Sequence, residues 1–234
     1  MKAKDLYRQK YKIIKFFDDK QLGIIREDIK TLRWEPGLVS LNYDNRKIAL
    51  KVKNNFQADY DTDKFYGMVD KCREFRDFVE PETSTSVMIS RTPTGGYYKP
   101  HTDWEGLGHY STTIFLNDPD TYSGGELCIL PNPYEDELKI KLPAGWGITY
   151  ETGIPHRVAT VTHGERLVSV YWTESNFRDL NDLDRYRYLS YMYDWCETHY
   201  EHKVFEDCHE FNNDAQMYFE RKRKELSKKY INMK

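Results

Sequence analysis

Two short segments of the chain carry side chains that suit a transition metal. His101 and Asp103 are separated by one residue, and His156 follows a proline further along the chain. Alternate residues of a β-strand face the same side, so a strand through 101–103 would direct the imidazole and the carboxylate to one point. Two histidines and one carboxylate on one face of an octahedral ion leave three positions open, an arrangement typical of non-haem Fe(II) sites. The spacing therefore predicts an iron site with room for O2.

A third segment supplies a charge that a metal site alone does not need. Arg166 lies ten residues after His156, across a turn expected at Gly164. A 2-oxoacid that chelates the iron would place its far carboxylate deeper in the fold, where a guanidinium is a bidentate, permanently charged partner. Because a turn intervenes, the spacing leaves open whether Arg166 faces inward.

Each of these elements has a simpler explanation when it stands alone. A His-x-Asp pair arises by chance in a chain with seven histidines. A lone histidine such as His156 is more often structural, and an arginine after a turn is usually solvated. The order and spacing of all three elements within one strand-rich region favours the metal site.

The elements that position these residues follow from the apolar pattern. From residue 86 onward, short β-branched and aromatic runs alternate with turns that contain Gly and Pro, which is typical of a β-sandwich or barrel. The predicted strands are Ser86–Arg91, Thr112–Leu116, Glu126–Leu130, Leu138–Leu142, Gly147–Tyr150, Arg157–Val161 and Leu167–Trp172.

Helical periodicity is present on both sides of the strand region. It predicts a helix within 16–32, capped by Asp18 or Asp19, a second helix over 66–78, and more helix after Ser175. The polar segment 49–63 between the first two helices is expected to be mostly irregular.

The predicted fold is mostly β with flanking helices. We expect one structural domain made of an N-terminal helical support region at 1–85, a catalytic core at 86–175 and a C-terminal helical extension at 176–234.

The overall composition limits the classes of partner and compartment. The 35 basic and 38 acidic side chains give a net charge of −3, so no global field would recruit nucleic acid. Charged residues interrupt the apolar N-terminal residues, so no signal-peptide core is expected there, and no segment approaches a membrane span. The four cysteines form no C-x-x-C pair, which favours reduced thiols. We expect a soluble, cytoplasmic protein without a membrane partner.

Two patterns near the C-terminus have a surface explanation. A loose set of zinc-ligand types has steps of three residues that also fit one side of a helix, and we favour the helix. The set consists of Cys196, His199, His202, Cys208 and His209. The basic run 221–224 stands beside Glu220 and Glu225 and is typical of a solvated helix face, with nucleic acid or an acidic partner as the alternative.

Several segments together resemble the prolyl 4-hydroxylase-like 2-oxoglutarate oxygenases, and most closely the bacterial PKHD-type hydroxylases. The likeness extends outward through Val52–Asn55 and Arg178–Asp179, so it covers nearly the whole chain. The central matching segments are Tyr98–Asp103, Thr113–Pro119, Tyr122–Leu127, Lys141–Gly145, Pro155–Val158 and Val161–Arg166, running on to Trp172.

The resemblance implies a double-stranded β-helix (jelly-roll) core and a dioxygenase that hydroxylates an unactivated C–H bond. It implies Fe(2+) held by His101, Asp103 and His156, and 2-oxoglutarate bound by Arg166, with these four residues as the catalytic set. Tyr98 corresponds to the family tyrosine placed three residues before the first ligand. O2 is the implied oxidant, and L-ascorbate, which family members often use to rescue over-oxidised iron, is a further expected cofactor.

Two positions depart from the pattern of some prolyl hydroxylases. Arg91 stands where they have a tyrosine that binds the co-substrate, and Phe115 stands where they can have another. The loop Trp104–Tyr110 is short compared with the bacterial relatives and is expected to line the substrate entrance. Arg91, Trp104 and Trp172 are therefore the candidate substrate residues.

The resemblance implies a prolyl residue in a peptide or protein as the substrate. A free amino acid or small metabolite is the alternative within the enzyme class. A non-catalytic metal-binding or interaction barrel is the alternative from another class, and the agreement of the independent cues argues against it.

Overall fold

The computed structural model describes residues 9–37, 50–201 and 209–231. The chain divides into two compact units, one formed by Lys10–Ser175 and a second that includes the chain from Asn176 onward.

The strands of the first unit form two sheets. The strands are β1 Tyr11–Lys15, β2 Glu35–Pro36, β3 Lys53–Asn54, β4 Phe56–Tyr60, β5 Pro81–Ser84, β6 Val87–Pro93, β7 Tyr97–His101, β8 Tyr110–Phe115, β9 Tyr122–Gly124, β10 Leu127–Ile129, β11 Leu138–Ile140, β12 Trp146–Glu151, β13 His156–Val158 and β14 Val161–Ser175. The larger sheet has the order β1-β12-β8-β14-β6-β4-β2, with β5 and β9 paired to β14, and the smaller has the order β11-β10-β13-β7-β3. The long strand β14 pairs antiparallel with both β6 and β8.

The core between the two sheets is filled from both sides. Phe115, Ile148 and Val168 of the larger sheet pack with Leu127 and Ile129 of the smaller one. These five side chains are at most 2% exposed, and burying each stabilises the fold by about 1.5–3 kcal/mol. Two antiparallel sheets around one core confirm the predicted double-stranded β-helix with flanking helices.

Three helices of the first unit are α1 Asp19–Ile29, α2 Thr62–Val69 and α3 Arg73–Val79. Phe65 of α2 and Phe75 of α3 both meet the ring of Tyr171 on β14, with centroids 5.6 and 6.1 Å away. Helix α1 begins as predicted, because the Asp18 side chain accepts a hydrogen bond from the backbone N–H of Gln21 in a capping box. The helix expected over 66–78 is two short helices instead.

Two local expectations were wrong. The segment expected to be irregular at 49–63 contains β3 and β4, which pair with β7 and β6 and so satisfy their backbone groups. The turn expected at Gly164 is absent, because Gly164 lies inside β14. Its φ of +74° and the carbonyl oxygen of Thr121, 2.5 Å from any added Cβ, explain why glycine is needed there.

The second unit contains two helices, α4 Leu180–Glu201 and α5 His209–Ile231. They are joined by the Asp182 carboxylate, which accepts hydrogen bonds of 2.5 Å from both the Lys229 ammonium and the Tyr230 hydroxyl. Lys222 and Lys224, from the basic run, form ion pairs with acidic residues of their own helix.

The cysteines in the described ranges, Cys72, Cys128 and Cys196, are free thiols. The rest of the C-terminal zinc-like set lies outside the residues whose side chains are described. Among the helices that the structure describes, none combines the length and hydropathy needed to cross a bilayer.

Candidate active site

Strand pairing brings the two predicted histidine ligands together. His101 is the last residue of β7 and lies opposite His156, the first residue of β13, with ring centroids 4.2 Å apart. Asp103 lies just beyond the end of β7, so strand alternation was the wrong reason to expect it beside His101. One donor atom from each of the three residues lies within 4.8 Å of the others, a donor set that fits Fe(II).

Backbone carbonyls orient both imidazole rings. The Nδ1 atom of His101 lies 2.8 Å from the Lys99 carbonyl oxygen, and Nδ1 of His156 lies 2.9 Å from the Ile154 carbonyl oxygen. A carbonyl can only accept, so Nδ1 carries the proton and Nε2 keeps a lone pair. Both Nε2 atoms face Asp103, at 3.8 and 3.7 Å from its oxygens, as metal ligands with outer-shell partners do.

The electrostatic environment keeps His101 neutral. Burial lowers the pKa of His101 to about 4, and repulsion from His156 contributes in the same direction. A neutral imidazole is the form that binds a metal ion, so the site is ready for a cation at neutral pH.

Two side chains hold the Asp103 carboxylate from the larger sheet. The Ser111 hydroxyl and the Trp172 indole N–H each donate a 2.8 Å hydrogen bond to Oδ2 of Asp103. Oδ1 accepts neither bond, and it is the oxygen that lies nearest His101. Trp172, predicted as a substrate residue, thus orients a predicted metal ligand while it also lines the cavity.

A cavity of about 610 Å³ opens between the sheets and contains the three metal-ligand side chains and Arg166. Alternate residues of β14 line it, beginning with Arg166 and ending with Trp172. Arg166 is 2% exposed, and its Nε has no hydrogen-bond partner within the described part of the chain. Burial lowers its pKa, against the opposing influence of Tyr122 and Tyr150. A buried guanidinium beside a cavity fits the distal carboxylate of a 2-oxoacid.

The sequence of the chain is similar to those of known oxygenases and hydroxylases. A family model described as the 2OG-Fe(II) oxygenase superfamily matches residues 87–174. The chain is 37% identical over 153 residues to a PKHD-type hydroxylase of Prochlorococcus marinus (strain MIT 9313), covering 61% of this chain and 66% of that protein. It is 32% identical over 176 residues to a PKHD-type hydroxylase of Hyphomonas neptunium, covering 68% of this chain and 75% of that protein. The chain belongs to the PKHD-type hydroxylase family, and its matches span from about half to three quarters of the length of these relatives.

A solved structure supports the fold. A prolyl hydroxylase from Trichoplax adhaerens, in complex with a hypoxia inducible factor oxygen degradation domain peptide fragment, superposes with a TM-score of 0.57 at 15% identity. The match covers 74% of this oxygenase and 86% of that chain. At that identity the likeness is one of fold.

Tyr98 lies against the first histidine of the oxygenase. Its ring stacks on His101 with centroids 3.6 Å apart, and the ammonium of Lys53 lies 4.7 Å from the Tyr98 centroid. Lys53 lines the cavity and is 5% exposed, so burial lowers its pKa to about 8, while Asp103 opposes this change. Sequence reasoning assigned no role to Lys53, although it included the residue in a matching segment.

Two predicted substrate residues have different positions. Arg91 is not brought into the cavity, because Ser90 and Thr92 on either side of it face inward. Its guanidinium lies over the rings of Trp34 and Phe56 and 3.4 Å from Glu165. Trp104 lies at the cavity edge and is 74% exposed.

Tyr150 is a cavity residue that sequence reasoning missed. It is 2% exposed, meets the His156 ring edge-on with centroids 5.2 Å apart, and is close enough to Asp103 and Arg166 for both charges to act on its pKa. Burial raises that pKa well above the ordinary value, so the hydroxyl stays protonated. The sequence feature that pointed to Tyr150 was its position at the end of the predicted strand Gly147–Tyr150.

Proposed function

We propose that this oxygenase binds Fe(II) through His101, Asp103 and His156, binds 2-oxoglutarate through Arg166, and hydroxylates an unactivated C–H bond. The observation that carries the proposal is the shared cavity, which contains three convergent metal-ligand atoms and a buried guanidinium without a partner at Nε. A barrel with only an interaction role would have no need of that buried charge, whose desolvation is costly.

The chain's own residues supply position and a dry environment. When bound, Fe(II) and 2-oxoglutarate would supply the oxidation: one oxygen atom of O2 would enter succinate as 2-oxoglutarate loses CO2, and the other would convert a substrate C–H into C–OH. Ser111 and Trp172 hold the Asp103 carboxylate. Leu127 and Val168 line the same cavity with apolar surface and exclude water from it, which strengthens the electrostatic contacts inside.

We further propose that the substrate is a prolyl residue in a peptide or protein. Trp104 at the cavity edge is 74% exposed, and an exposed indole beside a cavity is a typical contact for a peptide or protein partner. Asp59, also exposed, lies at the same cavity. The Trichoplax prolyl hydroxylase, solved with a peptide, has the same fold.

The test is succinate formation by purified protein loaded with Fe(II) under air, with ascorbate present or omitted. We expect slow succinate formation from 2-oxoglutarate alone, and stimulation by proline-containing peptides with a mass gain of one oxygen atom. Free proline and free amino acids form the comparison arm. No succinate with any substrate, from protein shown to hold iron, would refute the proposed activity, and stimulation by free amino acids alone would refute the peptide substrate.

A further inference from the structure

A second buried polar group lies beside Arg166 and has no assigned role. Tyr122 is 3% exposed, and its hydroxyl is fully enclosed without a hydrogen-bond partner among the described residues. Buried hydroxyl groups in folded proteins nearly always have a partner, and an exception calls for a water or a ligand.

The backbone brings Tyr122 and Arg166 to the same place. Tyr122 begins β9 and lies opposite Gly164 of β14, two residues before Arg166. Both side chains approach Gly125, where an added Cβ would lie 3.1 Å from Cε2 of Tyr122 and 3.3 Å from Cδ of Arg166. The φ of Gly125 is +70°, so a residue without a side chain is needed there and leaves room for both.

The surroundings of this hydroxyl favour an anion. The ammonium of Lys141 lies 4.1 Å from the centroid of the Tyr122 ring, and Arg166 lies close enough for its charge to act on the phenol. Burial raises the pKa of Tyr122 despite the influence of Arg166. Glu126 acts in the same direction as burial, and the Lys141 ammonium donates to the Tyr122 backbone carbonyl and not to the phenol. The phenol is therefore a neutral O–H donor near Arg166, and a carboxylate oxygen is the acceptor that suits such a donor best.

We propose that Tyr122 is a co-substrate-binding residue whose hydroxyl donates to the distal carboxylate of 2-oxoglutarate beside the Arg166 guanidinium. This inference rests on the proposed function. In this proposal, one carboxylate is the missing hydrogen-bond partner of both the enclosed Tyr122 hydroxyl and the Arg166 Nε.

The test is direct binding measured by anaerobic calorimetry, with Mn(II) in place of Fe(II) and without turnover. Two ligands are compared, 2-oxoglutarate and 2-oxobutanoate, which shares the 2-oxoacid group but lacks the distal carboxylate. Tyr122→Phe should weaken 2-oxoglutarate binding roughly tenfold or more, the effect of one hydrogen bond to a charged group. Its affinity for 2-oxobutanoate should be unchanged.

Tyr171→Phe is the matched control. The Tyr171 hydroxyl also belongs to a fully buried side chain, but its ring packs against Phe65 and Phe75 of the helices. This variant should bind both ligands as the wild type does. Melting temperatures of both variants check that the fold is kept.

Four outcomes would overturn the inference. Unchanged 2-oxoglutarate affinity in Tyr122→Phe, or an equal loss for both ligands, would exclude a contact with the distal carboxylate. If Tyr122→Phe caused no further loss in an Arg166→Ala background, Tyr122 would act only by positioning Arg166. A wild-type protein that binds Mn(II) but not 2-oxoglutarate would refute the proposed function itself, and this inference with it.

Discussion

Replacing Arg166 tests the link between the iron site and the co-substrate. Arg166 is 2% exposed and lines the cavity that holds the metal-ligand residues. A carboxylate that enters this cavity loses its hydration, and only a buried partner offsets that cost. Breaking a buried ion pair by removing one partner typically costs about 3–5 kcal/mol.

The expected effect on co-substrate use follows from that range. At about 1.4 kcal/mol per tenfold change, even the lower limit corresponds to a factor of roughly 100. Arg166→Ala should therefore raise the apparent KM for 2-oxoglutarate by roughly 100-fold or more. Arg166→Lys should recover part of this loss, because the charge returns without the planar pair of donors.

The assay is a titration of 2-oxoglutarate against succinate formation with iron-replete protein. Iron content should be unchanged in Arg166→Ala, because Arg166 is not one of the three clustered metal-ligand residues. Arg73→Ala is the control, since Arg73 is exposed and forms an ion pair with Asp77 of its own helix. An unchanged KM in Arg166→Ala would show that the distal carboxylate is bound elsewhere and would refute the reasoning.

Three further predictions concern the metal site. Alanine at His101, Asp103 or His156 should abolish stoichiometric Fe(II) binding by metal analysis, and full iron content in all three variants would exclude this site. Trp172→Phe removes one hydrogen bond to Asp103 and should weaken Fe(II) affinity roughly tenfold or more. The control Trp146→Phe on β12 should leave Fe(II) affinity unchanged. Equal Fe(II) affinities in Trp172→Phe and the wild type would show that the bond is dispensable. The pKa of His101 is lowered to about 4 in the folded protein, whereas its ordinary value is about 6.5. Between these two pH values the unfolded state binds more protons than the folded state. The metal-free protein should therefore lose stability as the pH falls from about 6.5 to 4. Denaturant titrations should show that the free energy of unfolding falls less with pH in His101→Ala than in the wild type. Parallel pH profiles of the two proteins would contradict the lowered pKa.

Local sequence patterns predicted the strand-rich core, the first helix and the segments that contain the candidate metal site. They did not identify β3 and β4. Phe56, Ala58 and Tyr60 alternate with polar residues, but the run is short and lies in a polar segment, and the strands form because β7 and β6 supply hydrogen-bond partners. A pattern within a few residues contains no information about such partners.

The sequence by itself identified the candidate residues, since the types and spacing of His101, Asp103, His156 and Arg166 pointed to one reaction class. Only the tertiary structure decided which atoms meet. The Trp172 indole reaches Asp103, and Tyr122 comes beside Arg166 at Gly125. The reason is physical, because a side chain's type is local, whereas its neighbours depend on strand register, and a shift of one residue turns every side chain to the other face.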